Sequence, residues 1–469
     1  MPCRPSVRPI PTPPARAALA LALLVAAGSV AFAQDGTPLA PVVPLPASGV
    51  TRVPLRSDAA NPQAAPAAAT ETRATPAGAP ASATRATSAG TAASATRAPR
   101  PASAGSAVAG AKTASGSKTK TTKKSKKSST APRDDDAPDS FLYGRRPDVV
   151  AFAALVADER GIDGAWVEAQ LARARYQPGV AKLIMPPPAG VAKNWKAYRA
   201  RFLDPQRLRA GVAWWQAHAD DLARAEERFG LPPEIVAAIA GVETYWGRLT
   251  GNFRVLDALA TLAFDFPPGR SDRSAFYRDE LRAYLTWCAL EDRDADTVRG
   301  SYAGAIGWPQ FMPSSILKYA IDFDGNGRVD LAEGGADVIG SIANFLATAG
   351  WQRGAPTHFD VVPPADPVAR AQLLAPDIVP TFSAADMIAL GAELPEAARA
   401  WPGPLALVQL ENGGEAPSFI AGTANFYVVT RYNWSAYYAL AVIDLASALR
   451  RELAFEPAAR TALPVTPSN

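Results

Sequence analysis

Pro232-Pro233-Glu234-Ile235-Val236-Ala237-Ala238-Ile239-Ala240-Gly241-Val242-Glu243-Thr244-Tyr245-Trp246-Gly247 is the stretch on which the fold turns. The two prolines open a helix, and the eight residues from Ile235 to Val242 are apolar on every face. A helix of that kind is buried on all sides, so other helices must surround it. Glu243 closes the run. A carboxylate placed there, just before two aromatic residues, loses hydration, which disfavours its charged form and raises its pKa. A general acid needs that environment. On environment alone, a Glu that reaches solvent or pairs with Arg248 or Arg254 is an equal alternative.

Upstream, Asp204-Pro205 sets a capping acid before a proline at the first helical position. The amphipathic run Arg207–Phe229 is expected to end at Gly230. Phe141-Leu142-Tyr143 and the apolar-periodic Val149–Leu155 begin the folded region near Pro138, and helix signals dominate to about residue 350. Beyond Gly350 come short β-rich pieces at Phe359–Val362, Leu405–Leu410, Ser418–Ala421 and Phe426–Thr430, separated by Pro and Gly. A last helix, Ser435–Leu453, is expected to pack back on the core, with Ser435 as its cap. The class is mainly α (α+β).

The first third of the 469 residues is of another composition. Arg4, Arg8 and Arg16 precede the apolar stretch Ala17–Ala33, which reads as a signal peptide over residues 1–33 rather than an uncleaved anchor. Cys3 precedes the apolar run and so cannot be a lipid-modified cysteine; the expected location is the periplasm, without a lipid anchor. Residues 34–137 are rich in Ala, Thr, Ser and Pro, lack aromatics, and repeat Thr-Arg-Ala at 72–74, 84–86 and 96–98. Such a linker cannot bury enough apolar surface to offset its ordering entropy. It holds seven of the eleven lysines, between Lys112 and Lys127. Formal charges are +3 for the signal and +8 for the linker, which leaves −7 of the total +4 for residues 138–469. A nucleic-acid partner therefore has no support. The basic linker either touches anionic envelope polymers or serves as a solubilising spacer. Residues 138–455 are expected to be the catalytic region, and 456–469 a tail.

After cleavage only Cys288 remains, in an apolar setting that suggests a packing thiol. His218 and His358 are the only histidines and lack ligand-spaced partners, so metal hydrolase chemistry is not expected.

Three further segments carry chemistry. Gly300–Ser315 combines glycines that let backbone approach a ligand with Ser301, Tyr302 and Gln310, which offer hydroxyl and amide contacts to sugars; a tightly packed turn is the alternative. Residues 322–333 fit the EF-hand loop pattern: Asp322, Asp324, Asn326, the Arg328 carbonyl, Asp330 and Glu333 as ligands, and Gly327 at the sharp turn. Asp337 could stand in for Glu333. One structural calcium ion is expected, and no organic cofactor. Lastly, Tyr432 and Asn433 lie just before the final helix.

These segments, in this order from about Phe141 to about Leu449, resemble the membrane-bound lytic murein transglycosylase B family and its soluble relatives. The resemblance runs through Tyr198–Val212, Gly241–Gly251, Val255–Phe266, Gly300–Ser315, the acidic loop and Arg431–Ser435. It implies a lysozyme-like catalytic core flanked by a helical domain and a small β-containing domain, with one EF-hand calcium. It implies Glu243 as the catalytic acid/base, and Ser301, Gln310, Tyr432, Asn433 and one or both of Arg270 and Arg273 along the saccharide site. The substrate would be peptidoglycan glycan strands, cleaved by a monomer between N-acetylmuramic acid and N-acetylglucosamine with formation of 1,6-anhydro ends. Its rivals are a hydrolytic muramidase with a second carboxylate such as Asp257 or Asp265, and a wall-binding protein without catalysis.

Overall fold

A computed structural model describes residues 140–186 and 192–461. The expected signal peptide and basic linker lie outside the described residues. Along the chain the helices and strands are α1 (Pro147–Arg160), α2 (Gly164–Ala172), α3 (Pro178–Leu183), α4 (Trp195–Ala200), α5 (Pro205–Ala217), α6 (Ala219–Phe229), α7 (Pro233–Thr244), β1 (Phe253–Arg254), α8 (Val255–Phe264), α9 (Ser274–Leu290) and β2 (Arg299–Gly300). There follow α10 (Pro313–Tyr319), α11 (Ala336–Thr348), β3 (His358–Asp360), α12 (Pro367–Leu374), α13 (Ala384–Ala389), α14 (Glu396–Arg399), β4 (Ala406–Asn412), β5 (Glu415–Gly422), α15 (Ala424–Tyr432) and α16 (Ala436–Thr461).

Helix α7 is the axis of the main core. Every residue from Ile235 to Thr244 is buried, and α5, α6, α11 and α16 pack against it. Its start follows the chain's local chemistry. Asp204 caps α5 by accepting from the Gln206 and Arg207 amides, and Gly230 ends α6 in the left-handed conformation at φ 73°. The Arg207–Phe229 run is not one helix, however. It breaks at His218 (φ −122°, ψ 25°): both halves pack on α7, but α5 turns its other contacts to α16 and α6 turns its own to α11.

The small β element is an antiparallel sheet in the order β3-β5-β4. It shares a separate apolar cluster with α12 to α14, in which Leu373, Met387, Leu394, Leu405 and Leu407 are buried. Phe426–Thr430, expected as a strand, lies instead in α15. Thr423 caps that helix by accepting from the Asn425 amide, and burial of Phe426, Val428 and Val429 against the main core outweighs their β preference. The final helix begins as expected, with the Tyr438 amide donating to Ser435 Oγ, but runs past Leu453 to Thr461, into the expected tail. Among the described residues no helix is long and apolar enough to cross a membrane.

Candidate active site

Glu243 is 2 % exposed, one residue from the end of α7. The chain then reverses through three left-handed residues, Tyr245 (φ 54°), Trp246 (φ 51°) and Gly247 (φ 78°). Two are bulky aromatics, for which this conformation is strained, so surrounding contacts must hold it. Trp246 folds back along α7 and its indole N–H donates to the Ala237 carbonyl at 3.0 Å. Gly241 and Gly211 make the slot for it; a Cβ on either would stand 2.4 or 2.6 Å from the indole. Thr244 Oγ1 accepts from the Gly247 amide at 3.0 Å and donates to the Trp308 carbonyl at 3.2 Å.

Beneath this turn lies Arg207, buried on α5. Its Nη1 donates to the Gly241 carbonyl, and its guanidinium stacks 4.4 Å from the Tyr245 ring centroid. A cation suits a helix C-terminus.

Three buried phenols lie within reach of the Glu243 charge. Burial, and after it the Glu243 charge, push the Tyr198, Tyr432 and Tyr438 hydroxyls upward from the usual tyrosine range. Tyr432 and Tyr438 stack at 6.3 Å, and Tyr432 Oη donates to the Pro309 carbonyl at 2.6 Å. That bond ties the end of α15 to the Gly300–Ser315 loop, so two of the singled-out segments meet at Glu243. Tyr198 and Tyr438 were not singled out. The helical phase of α16, in which Tyr438, Ala441, Leu445 and Leu449 are all buried, is the signal that marks Tyr438 as inward; nothing in the local sequence marks Tyr198.

In the Gly300–Ser315 loop, Ser301 Oγ accepts from the Ala303 and Ala305 amides, bolting a turn, which leaves its hydroxyl proton to donate. Gln310 (φ 49°) donates through Nε2 to the Thr250 and Gly307 carbonyls, which leaves its oxygen to accept. Burial pushes the Tyr302 phenol up to about 12, while the positive charge of Arg270 pulls it down. Arg270 donates to the Ile184 carbonyl. Arg273 stacks 4.6 Å over Phe276, and its ionisation is lowered by burial, with charge effects from Tyr277 and from Arg270. Arg270, Arg273 and Tyr302 thus form one neighbourhood. Asn433 is buried at the end of α15.

In the acidic loop, carboxylate oxygens of Asp322, Asp324 and Asp337 lie within 4.8 Å of one another. Asp337 belongs to the first turn of α11 and accepts from the Phe323 and Asp330 amides at 2.7 and 2.8 Å. Asp330 and Glu333 stand outside that group: the Asp330 carboxylate accepts from the Ala332 and Glu333 amides, and Glu333 is exposed, three residues before α11 begins. Asn326 binds within the loop, to Asp324 and the Arg328 amide. Three converging carboxylates in an oxygen-rich loop fit a hard divalent cation. The loop also supports the turn after Glu243, because the Trp308 amide donates to the Leu331 carbonyl at 2.8 Å.

The two carboxylates weighed as a second catalytic group are committed elsewhere. Asp257 accepts from the Arg175 amide, Gln177 Nε2 and Arg254. Asp265 is paired with Arg146.

Residues 144–447 match the family described as Transglycosylase SLT domain. The membrane-bound lytic murein transglycosylase B of Escherichia coli K12 is 34% identical over 319 residues, 66% of this chain and 84% of that protein. Among solved structures, soluble lytic transglycosylase SltB1 from Pseudomonas aeruginosa is 37% identical, over 65% of this chain and 99% of that one, with a TM-score of 0.59. The E. coli lytic transglycosylase Slt35 in complex with calcium is 32% identical over 67% and 96%, with a TM-score of 0.58. SltB3 from P. aeruginosa in complex with NAG-NAM-pentapeptide is 29% identical over 66% and 80%, with a TM-score of 0.56. With its mainly α, lysozyme-like fold, the chain belongs to the transglycosylase SLT domain family, among relatives named as lytic murein transglycosylases.

Proposed function

We propose that the chain cleaves the β-1,4 bond between N-acetylmuramic acid and N-acetylglucosamine in peptidoglycan, with Glu243 as its single acid/base. The observation that supports this reading is the company Glu243 keeps: it is buried, three phenols are pushed above the usual tyrosine range by burial and by its charge, and Asp257 and Asp265 are held by other partners. Most glycosidases use two carboxylates; a reaction without water needs one. Glu243 protonates the glycosidic oxygen as the muramyl C1–O bond breaks, through an oxocarbenium-like or N-acetyl-assisted intermediate. The carboxylate then removes the proton of the muramyl 6-hydroxyl while that oxygen bonds to C1. The product is a 1,6-anhydro end, and Glu243 is protonated again.

Ser301, Tyr302, Gln310, Tyr432, Asn433, Arg270 and Arg273 would line the sugar path. Ser301 would donate and Gln310 would accept, as their internal bonds leave them, and the arginines would supply positive charge. Asp322, Asp324 and Asp337 would hold a calcium ion, which braces the loop behind Trp308; the Slt35 calcium complex supports this. We assign the chain to the periplasm, where its wall substrate lies.

The test is product analysis in ¹⁸O-water with Glu243→Gln as the control. Wild type should release anhydromuramyl ends without label, and the variant should keep its melting temperature and wall binding while losing at least about a hundredfold in rate. Labelled reducing ends would identify a hydrolase, and unchanged lysis by the variant would remove Glu243 from the chemistry.

A further inference from the structure

Helix α10 begins without a cap of its own. Met312 stands at the capping position and makes no side-chain bond to the first turn; it packs against the main core instead. The acceptor comes from another helix. Glu280, on α9 and 4 % exposed, takes the Ser314 amide on one carboxylate oxygen at 2.9 Å and the Ser314 hydroxyl on the other at 2.7 Å. A carboxylate costs more to bury than an apolar side chain of the same size. Burial accordingly raises its pKa, the two Ser314 bonds pull the other way, and the Asp279 charge adds to the rise. Both oxygens meet the same residue.

Ser314 closes the turn that carries Gln310. Ile306 and Phe311 are paired, each amide donating to the other's carbonyl at 2.8 and 3.1 Å, and the chain between them reverses through Gly307 and Gln310, at φ 71° and 49°. A side chain as large as glutamine holds that left-handed conformation only where its surroundings over-determine it. Upstream the turn is tied by the Ser301 amide, which donates to the Ala305 carbonyl at 2.9 Å. Downstream it runs through Phe311 and Met312 straight into α10. Its only side-chain anchor at that end is the Glu280 clamp on Ser314.

We infer that Glu280 is a positioning residue for glycan binding: by clamping Ser314 from behind the loop, it fixes where the Gln310 side-chain oxygen points. This rests on the reading of Gln310 as an acceptor for the sugar. Glu280 itself stays out of reach of substrate.

The experiment is a double-mutant cycle on the full chain, read as kcat and KM on soluble peptidoglycan glycan strands. Glu280→Met removes both acceptors at similar length, and Gln310→Ala removes the group that is positioned. Alone, Glu280→Met is expected to raise KM about fivefold while kcat stays within about twofold of wild type. In the Gln310→Ala background the same change is expected to move KM by less than about twofold, because coupled residues do not add. Glu280→Gln should restore most of the affinity, since its carbonyl accepts from the Ser314 amide and its NH2 donates to the Ser314 oxygen once that hydroxyl turns round. A merely structural role would raise KM equally with and without Gln310; that result, or an unchanged KM, overturns the proposal. Should Glu280→Met fail to fold, Ser314→Ala, which deletes one of the two bonds, takes its place in the cycle with a rise of about twofold expected. A wild-type chain that cleaves no glycan removes the enzyme reading, and calorimetric binding of the same strands to the same proteins then decides the Glu280 assignment by itself. Strands that do not bind overturn both.

Discussion

Arg207 Nη1 donates to the Gly241 carbonyl at 2.7 Å, two residues before Glu243, from a guanidinium that is 6 % exposed. Burial holds its pKa below the usual guanidinium range, although Asp204 and Tyr245 pull the other way. The side chain thus serves the end of α7 and the reversed turn at once.

Replacing it with methionine keeps most of the volume and removes the donor. A buried carbonyl left unmet costs about 1–3 kcal/mol, so denaturant unfolding of Arg207→Met should show a loss of that order. A fall in kcat larger than the change in KM is also expected, because the turn that holds Glu243 loosens. Lysine should restore little, since it lacks the planar face that stacks on Tyr245.

Gly247→Ala meets two obstacles. Its Cβ would stand 2.1 Å from the Trp308 indole, and φ 78° strains any L side chain. We expect a lower melting temperature and reduced turnover, whereas Gly144→Ala, with nothing within 4 Å of its Cβ and φ 57°, should show only the smaller backbone cost. Equal effects from the two would mean that Trp308 yields.

Calcium should raise thermal stability in the wild type. At a hundredfold excess over Kd the gain is about 2.7 kcal/mol. Asp324→Asn, at an exposed member of the three-carboxylate group, should shrink the shift seen by scanning calorimetry. Activity that falls on chelation while melting stays constant would make the ion regulatory instead of a brace.

His358 gives the stability a pH dependence. Burial lowers its pKa below 6.5, against the opposing charges of Asp444 and Asp360. The unfolded chain therefore binds this proton more readily, and the contribution, intact above about pH 6.5, is lost as pH falls toward the folded value. Unfolding curves from pH 8 to pH 5 should decline less steeply for His358→Phe than for wild type.

Much of this arrangement is legible in local chemistry. Asp204, Gly230 and Pro232-Pro233 mark helix ends through bonds made within a few residues, and the apolar run before Glu243 declares a buried helix by itself. The break at His218 is not legible, because both halves of Arg207–Phe229 are good helix and only their different neighbours separate them. Val428-Val429-Thr430 favours strand in isolation, and tertiary burial reverses that preference. At the site, Ser301, Gln310 and Tyr432 stand out by composition, whereas Tyr198 and Tyr438 reach Glu243 from helices far apart in sequence. Their convergence belongs to the packing of α4, α7 and α16. Asp337 replaces Glu333 beside Asp322 because α11 begins only at Ala336, too late to carry Glu333.

Trp308 lies against two glycines at once: a Cβ on Gly247 or on Gly334 would collide with the same indole. Its backbone is bonded on one side to Leu331 and on the other to Thr244. Neither the acidic loop nor the end of α7 can fluctuate outward without disturbing that ring, so the two behave as one cooperative unit of local opening. Amide protons of residues 244–247 and 331–334 should exchange with solvent together. An ion bound at the protein surface would slow the breathing of the turn after Glu243 without touching a substrate atom.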